Sequence, residues 1–346
     1  MRRFLGTFFF IMTMLMSIAI VFDFAEKVDD FINFGAPVNE LIFDYYMNFV
    51  FFYGNQFSFL IIFISVIYFT SKMANNNELI AILSSGVSYN RMLRPFMLAA
   101  SFLVISSIFL NHFVLPKSNK VRLEFEEKYA HNLLSLVNIH REVEKGVIVY
   151  FNNNHYGYLD GFCMEKWEDG ELKSVMNAQR AYYDTLQAKW TLTFYFTRYL
   201  GDDHDSILRG DKVDTVFNFA PKDLGYRNEF ASSMTTPELR RFIAEEKAKG
   251  SAKVVFSEIE LHLRTSYPIA AYILTLIGVS VAGRKTRGGM GLNIAIGMLM
   301  AVSYIFSMKI TTVAATNAGL NPSIAVWIPN VIFLLLTIPL YRMAQK

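Results

Sequence analysis

The feature that most constrains this chain is a set of six long runs that contain no Asp, Glu, Lys or Arg. A helix of about 20 apolar residues crosses the roughly 30 Å of a bilayer's hydrocarbon core. Since 53% of the 346 residues are hydrophobic and only 18% are charged, a membrane protein is predicted. The six runs are Phe4 to Phe22, Tyr45 to Thr70, Pro95 to Leu115, Thr265 to Gly283, Gly288 to Met308 and Ser323 to Tyr341.

Residues between the third and fourth runs have a different character. They are charged, interrupted by turn residues and rich in β-branched and aromatic segments that are typical of strands. Asp169-Gly170 is a two-residue hairpin signal. A helix is predicted to start at Thr235-Thr236-Pro237-Glu238 and to end at Gly250. The clearest predicted strands are Val147 to Phe151, Trp190 to Tyr199 and Val213 to Phe219.

The predicted fold is therefore a membrane α-helical protein with three plus three transmembrane helices around an inserted all-β domain. Residues 1–116 hold helices one to three, residues 117–256 hold the β domain with its linking helix, and residues 257–346 hold helices four to six. The first run is predicted to be retained, because its apolar core is longer than that of a cleaved signal peptide.

Orientation follows from the positive-inside rule, under which basic residues collect in cytoplasmic loops. An acidic connector with Lys27 as its only cation follows the first run, so this connector and the β domain are predicted outside. Both termini are then predicted in the cytoplasm. The basic residues that fall on the cytoplasmic side are Arg2, Arg3, Lys72, Arg91, Arg94, Arg284, Lys285, Arg287, Arg342 and Lys346.

Catalytic and cofactor chemistry is not indicated by these residues. The single cysteine, Cys163, excludes an internal disulfide, and the six histidines lack metal-ligand spacing. Gly278 to Thr286 is similar to a phosphate-binding loop, but an extra arginine precedes the lysine and the segment ends an apolar run. A net charge of +3 without a basic patch gives no sign of nucleic-acid binding. We predict no enzyme, no cofactor and no metal.

The polar segment from Ser71 to Pro95 separates the second and third runs. Its three asparagines offer an N-cap, and Glu78 lies in the first turn, where a carboxylate suits the helix dipole. A short amphipathic helix over about residues 75–86 is predicted, either to receive force from a soluble partner or simply to join two spans. The candidate partner-docking residues are Glu78, Leu79, Ile82, Leu83, Gly86 and Arg91.

A second candidate site consists of cations near the external ends of the runs. Glu260 and Arg264 are four residues apart, which is the spacing of a helical ion pair. Basic residues at this level either anchor a span at the interface or meet an anionic lipid head group. The candidate head-group residues are Lys27, Lys117, Lys120, Arg122, Arg264 and Lys309.

Together these features resemble the LptF/LptG family, the paired permease subunits of the lipopolysaccharide-export ABC transporter. The resemblance covers nearly the whole chain and is most specific where Gly86 follows Glu78 by eight residues after a Glu-Leu pair. The motifs match LptF and LptG about equally, and we favour LptG. The segments that carry the resemblance are NNELIAILSSGVSYNRML, VLPKSN and IELHLRTSYP.

The resemblance implies a bacterial inner-membrane protein that extracts lipopolysaccharide. It implies a periplasmic β-jellyroll that continues the lipid path into LptC-like and LptA-like jellyrolls. Glu78 would contact a cytoplasmic LptB-like ATPase dimer, and a second six-span permease would complete the transporter. The spans at Phe4 to Phe22 and Gly288 to Met308 would form lateral gates. Two alternatives remain open: a mechanotransmission subunit that moves no lipid, and a membrane-anchored scaffold whose β domain binds proteins.

Overall fold

The computed structural model contains two compact units. One comprises residues 1–125, 231–244 and 252–346, and the other residues 126–230 and 245–251. The residues that the structure describes are 2–129, 137–155, 158–184, 187–201, 204–219, 228–248, 254–283 and 289–345.

The first unit holds six helices that are long and apolar enough to cross a membrane, so the six predicted spans are confirmed. Most helices extend beyond the charge-free runs, because flanking residues continue the backbone hydrogen bonds outside the hydrocarbon region. We number the spans in chain order: Arg2–Asn33, Ser58–Asn75, Tyr89–Tyr129, Val254–Ala282, Gly289–Asn317 and Pro322–Ala344.

Span four lies at the centre of this unit. It packs on spans two, three, five and six, and small side chains such as Ala270 and Ala271 are almost fully buried along it. A Cβ added at Gly278 would lie 2.9 Å from Val66 Cγ1 of span two. Since lipid tails are as apolar as leucine, close packing through small residues holds such helices together.

Spans one and five are exposed by comparison. In their most apolar windows only 17% and 22% of the residues are buried, against 67% in spans two and four. Large side chains such as Phe10 and Phe306 are 71% and 66% exposed. These two helices therefore present most of their apolar surface to lipid or to another protein.

Spans two and three differ from the predicted runs. The run from Tyr45 to Thr70 is interrupted at Phe57, so span two begins only at Ser58, after a separate helix Met47–Gln56 and a π-helical turn Leu41–Tyr46. Pro95 does not open span three but lies inside it. Pro95 leaves the carbonyl of Arg91 without its helical partner, and this cost is small because Arg91 lies exposed in the first turn of the helix. A π-helical turn, Leu110–Val114, lies further along the same span.

The second unit is built on one antiparallel sheet of six described strands in the order β1-β2-β3-β4-β5-β6. The predicted all-β insertion is thus confirmed. The hairpin at Asp169-Gly170 is confirmed as well, since both residues have positive φ, at 50° and 85°. The strands are β1 Val137–Glu144, β2 Val147–His155, β3 Tyr158–Glu168, β4 Glu171–Asp184, β5 Lys189–Tyr199 and β6 Ser206–Thr215.

One face of the sheet carries a hydrophobic core centred on Trp190, which is 1% exposed. Its indole Nε1 donates a hydrogen bond to the Phe219 carbonyl at 2.9 Å. The predicted strand Val213 to Phe219 was wrong beyond Thr215, because Phe217 and Phe219 leave the ladder and stack on each other at 5.1 Å over this core.

The helix predicted after the β domain is confirmed as a linking helix Thr236–Ala248, preceded by a 3-10 turn Asn228–Ser233. The Thr235 N–H donates to Glu238 Oε2 at 2.7 Å, which satisfies one of the donors left over at a helix start. The predicted end at Gly250 lies outside the described residues, as do the loop cations Arg284, Lys285 and Arg287 and the terminal Lys346.

Candidate functional site

The segment between spans two and three contains a single short helix, Glu78–Ser84, here called the loop helix. Gly86 follows it with φ +84°, a conformation that suits glycine at a helix end. The predicted asparagine N-cap is confirmed in position, but Asn77 has a left-handed backbone there and its side chain makes no capping hydrogen bond. Instead, Asn76 Nδ2 donates to Glu78 Oε1 at 3.2 Å, which orients the carboxylate.

The loop helix has two apolar sides with different surroundings. Leu79 is 1% exposed and belongs to the core of the spans, and Ile82 packs partly against that core. Ile80 and Leu83, on the adjoining side, are 49% and 37% exposed. The helix is therefore anchored to the membrane unit by one side and leaves an apolar pair uncovered on the adjoining side.

The structure thus divides the predicted docking residues into two groups. Leu79 and Ile82 are anchors, whereas Leu83 lies on the uncovered side together with Ile80, which the sequence analysis did not select. Ile80 and Leu83 are three residues apart, so their shared side could have been found from helical spacing. Arg91 is exposed in the first turn of span three, where the Ser88 hydroxyl caps the helix by accepting its N–H.

Arg264, a candidate head-group residue, is buried and fully engaged within the protein. Its side chain is 3% exposed, and its Nε lies 3.3 Å from Glu260 Oε1, as the spacing predicted. Its two terminal nitrogens donate to the carbonyls of Ala231 and Met234, at 3.1 and 2.8 Å, and to Thr236 Oγ1 at 3.1 Å. Arg264 therefore clamps the 3-10 turn and the start of the linking helix onto span four.

Further polar contacts surround this clamp. Asn111 of span three donates to the Arg264 carbonyl at 3.1 Å and accepts from Asn55 at 2.9 Å. His112 Nδ1 lies 2.8 Å from Thr236 Oγ1. Spans three and four, the helix Met47–Gln56 and the linking helix are consequently joined at one level. The sequence did not indicate this network, because its members are far apart in the chain.

Two other candidate cations are also held by neighbours. Arg122 is 4% exposed, and its guanidinium carbon lies 5.5 and 5.3 Å from the ring centroids of Phe52 and Tyr53. Lys27 forms a 2.9 Å ion pair with Asp23 and donates to Tyr45 Oη at 2.5 Å. Both charges are satisfied by aromatic and polar groups of the protein.

The remaining candidates, Lys117, Lys120 and Lys309, are exposed. The contact of Lys120 with Glu124 is 3.9 Å long, and both side chains are 62% exposed, so the pair is too weak to hold the amine in place. These three lysines therefore keep their charges available at the surface of spans three and five.

Three polar side chains inside the spans pair with one another. Asn330 of span six accepts from Tyr304 Oη at 2.9 Å and donates to Ser266 Oγ at 2.8 Å, which links spans four, five and six. Such interhelical bonds stabilise packing in lipid. Within the described part of the chain, no three His, Cys, Asp or Glu side chains are grouped to hold a metal ion.

Comparison with known proteins gives one family. Residues 1–343 match the sequence model of the lipopolysaccharide export system permease LptF/LptG, which covers both subunits and does not distinguish between them. A comparison with curated proteins gives no match. The family is a transporter component of the inner membrane rather than a catalyst, and its members work in an export complex with other Lpt proteins. With its six spans, its inserted antiparallel sheet and a match along almost its entire length, this chain belongs to the LptF/LptG permease family.

Proposed function

We propose that this chain is the permease subunit that extracts lipopolysaccharide from the inner membrane and passes it to a periplasmic protein bridge. A separate cytoplasmic ATPase dimer supplies the energy through the loop helix. The single observation that carries this proposal is the loop helix itself, buried at Leu79 against the spans and uncovered at Ile80 and Leu83. A helix in this position transmits movement of a docked soluble protein directly to spans two and three.

The orientation of the chain supports a cytoplasmic motor. Arg3, Lys72 and Glu78 line one cavity, and the rings of Tyr89 and Tyr341 lie 5.5 Å apart. The start of span one, the end of span two, the start of span three and the end of span six therefore lie at one end of the bundle. That end is rich in exposed Lys and Arg, and the positive-inside rule supports placing it in the cytoplasm and the β domain in the periplasm.

The exposed surfaces of spans one and five support a lipid path that a second six-span permease completes. Lipid tails would meet side chains such as Phe10 and Phe306. Head-group phosphates would meet Lys117, Lys120 and Lys309, whose charges are exposed. Arg264, Arg122 and Lys27 are engaged by other residues of the protein. We therefore assign them a structural role in the permease instead of head-group binding. LptC-like and LptA-like proteins would receive the lipid from the β domain.

The proposal is tested by separating docking from coupling in vesicles that contain the purified export complex. Glu78→Ala is expected to leave the complex assembled and to uncouple ATP hydrolysis from lipid release, because it removes the oriented carboxylate and no core contact. Leu83→Asp is expected to reduce the amount of co-purified ATPase, since it places a charge on the uncovered side.

Glu171→Ala is the matched control, because this carboxylate is exposed on a β hairpin and pairs with Lys173. Lipid release that is unchanged in both Glu78→Ala and Leu83→Asp would contradict the coupling role. Photocrosslinking groups in spans one and five that capture no lipopolysaccharide would instead favour a subunit that transmits force without carrying lipid.

A further inference from the structure

The face of the six-stranded sheet opposite its hydrophobic core carries a groove of about 780 Å³, a volume typical of small-ligand sites. Side chains of strands β3 to β6 form its floor. On β5, Thr191 and Thr193 line the groove, whereas the neighbouring Trp190 is buried in the core. We call this feature the outer groove, and its central residues are Tyr158, Tyr182, Thr191, Thr193, Phe194 and Lys212.

Phe194 enters the outer groove through an irregular backbone. Its φ is +48°, which is a genuine outlier for a bulky side chain. Trp190, Leu192 and Tyr195 pack on the core, so the alternation of the strand shifts by one residue at Phe194. The shift turns the ring to the groove side, where it is 65% exposed. Strain that exposes an apolar ring gives the folded domain no packing in return, and such strain is typical of binding sites.

Two further aromatic rings lie in the same groove. Tyr158 and Tyr182 are directly opposite each other on β3 and β4, and their exposed rings have centroids 4.9 Å apart. Thr191 follows Tyr182 in the same row of the ladder and adds a hydroxyl. Aromatic rings pack on the C–H faces of sugar rings, and polar groups between them bind sugar hydroxyls. The groove therefore has the chemistry of a saccharide site.

The charged groups of the outer groove are not equally available. Asp214 accepts a hydrogen bond from Thr191 Oγ1 at 2.7 Å, and Asp184 accepts one from a backbone N–H of the β4–β5 turn at 3.2 Å. Lys189 and Lys212 line the groove and are exposed, and no ion pair among the described residues involves either amine. Two available amines beside engaged carboxylates favour a ligand that carries a carboxylate or a phosphate.

We propose that the outer groove binds an acidic saccharide, and that in the working transporter this is the sugar part of the exported lipopolysaccharide. A sugar ring packs on Phe194 and on the tyrosine pair, and its anionic group meets Lys189 and Lys212. The choice of the exported lipid as the source rests on the proposed function, whereas the chemistry of the site does not. The acyl chains take no part in this contact, because the groove floor is polar between its rings.

A protein partner fits the outer groove less well. Lys and Asp are depleted at the centres of protein interfaces, whereas Lys212 and Asp214 line this groove. Arg180 lines it as well and pairs with Asp160 at 3.0 Å. Strands β3, β4 and β5 already pair on both sides, so no extended peptide can add a strand at the centre of the groove. The hydroxyls of a saccharide can use these separate polar groups without the backbone.

The first test measures binding of fully deacylated lipopolysaccharide to the purified full-length protein in nanodiscs. This probe keeps the acidic sugars and phosphates and has no acyl chains, so it reports a saccharide site alone. Phe194→Gly should weaken binding about tenfold, which is the contribution of one aromatic contact. It should keep or raise the temperature midpoint of unfolding, because glycine adopts a positive φ without strain. Phe196→Ala is the matched control, since this ring is 44% exposed on the same strand and does not line the groove.

The second test measures the role of charge. Lys189→Gln with Lys212→Gln should weaken binding of the same probe about fivefold at low salt and make the affinity less dependent on salt. Lys145→Gln with Lys166→Gln is the control, because it removes two exposed amines of the same unit outside the groove.

Absence of binding, unchanged binding in Phe194→Gly, or an equal loss in either control would overturn the proposal. Equal affinity for soluble peptidoglycan fragments would contradict the exported lipid as the source of the sugar. A photo-crosslinking group at position 194 that captures another protein of the assembled complex, in place of the sugar, would show that the groove is a protein interface. These measurements need neither ATP nor lipid release, so binding without transport would count against the proposed function alone.

Discussion

Replacing Arg264 should destabilise the membrane unit, because its guanidinium donates charged hydrogen bonds to two carbonyls of the 3-10 turn region. Arg264→Ala leaves the Ala231 and Met234 carbonyls without their charged partner. A hydrogen bond to a charged group contributes about 1.5–3 kcal/mol, so the two together give roughly 3–6 kcal/mol. The ion pair with Glu260 adds little, since that carboxylate is 30% exposed.

The variant Arg264→Lys distinguishes the hydrogen-bonding role of the guanidinium from a role of its positive charge alone. Lysine keeps the charge but lacks the planar fork that reaches several acceptors at once, so about half of the stability loss is expected. Unfolding of the purified protein in nanodiscs measures the free energies, and protease cleavage within residues 228–236 reports release of the turn. Lys309→Ala serves as the control, since this exposed side chain should change stability by less than about 0.5 kcal/mol.

A loss of less than about 1 kcal/mol in Arg264→Ala, with the turn still resistant to protease, would contradict the clamp role of this side chain. A head-group role makes the opposite prediction for this residue. In that case Arg264→Lys would restore lipid release, and both variants would unfold like the unmodified protein.

Two further predictions concern packing and pH. Gly278→Ala should destabilise the protein by about 1–3 kcal/mol in the same unfolding assay, because its Cβ meets the stiff side chain of Val66; Gly291→Ala, with open space around it, should be neutral or slightly stabilising. Hydrogen bonds from Thr235 lower the pKa of Glu238 below its usual 4.5. The stability that this carboxylate adds is therefore complete above pH 4.5 and is lost as pH falls through the lowered value, and Glu238→Gln should flatten that part of the stability profile.

The spans and hairpins could be predicted because their signals are local. A long charge-free run is apolar enough to lie in lipid whatever the rest of the chain does. The turn at Asp169-Gly170 needs only the positive φ values of these two residues. The break at Phe57 and the helix through Pro95 could not be predicted this way. Neither the run of uncharged residues through Phe57 nor the proline at the start of the third run carries a local signal that marks where the helix breaks or continues.

The same contrast applies to the candidate site: local features could be predicted from the sequence, and contacts between distant residues could not. Spacing predicted the pair of Glu260 with Arg264 and a short amphipathic helix between spans two and three. It did not predict that Arg264 also binds carbonyls about 30 residues earlier in the chain, because those partners meet only in the folded unit. By charge alone Arg264 and Lys309 are equivalent candidates, although Arg264 is buried and Lys309 is exposed.

The strand order of the inserted sheet has a consequence for biogenesis. Every described strand pairs with its neighbour in sequence, so each pairing closes only a short loop and the sheet can form quickly. Span four, by contrast, packs between spans made long before and soon after it. During synthesis the β domain can therefore fold while the ribosome is still producing the last three helices. The helical bundle cannot complete its packing until span four, its central helix, has been synthesised.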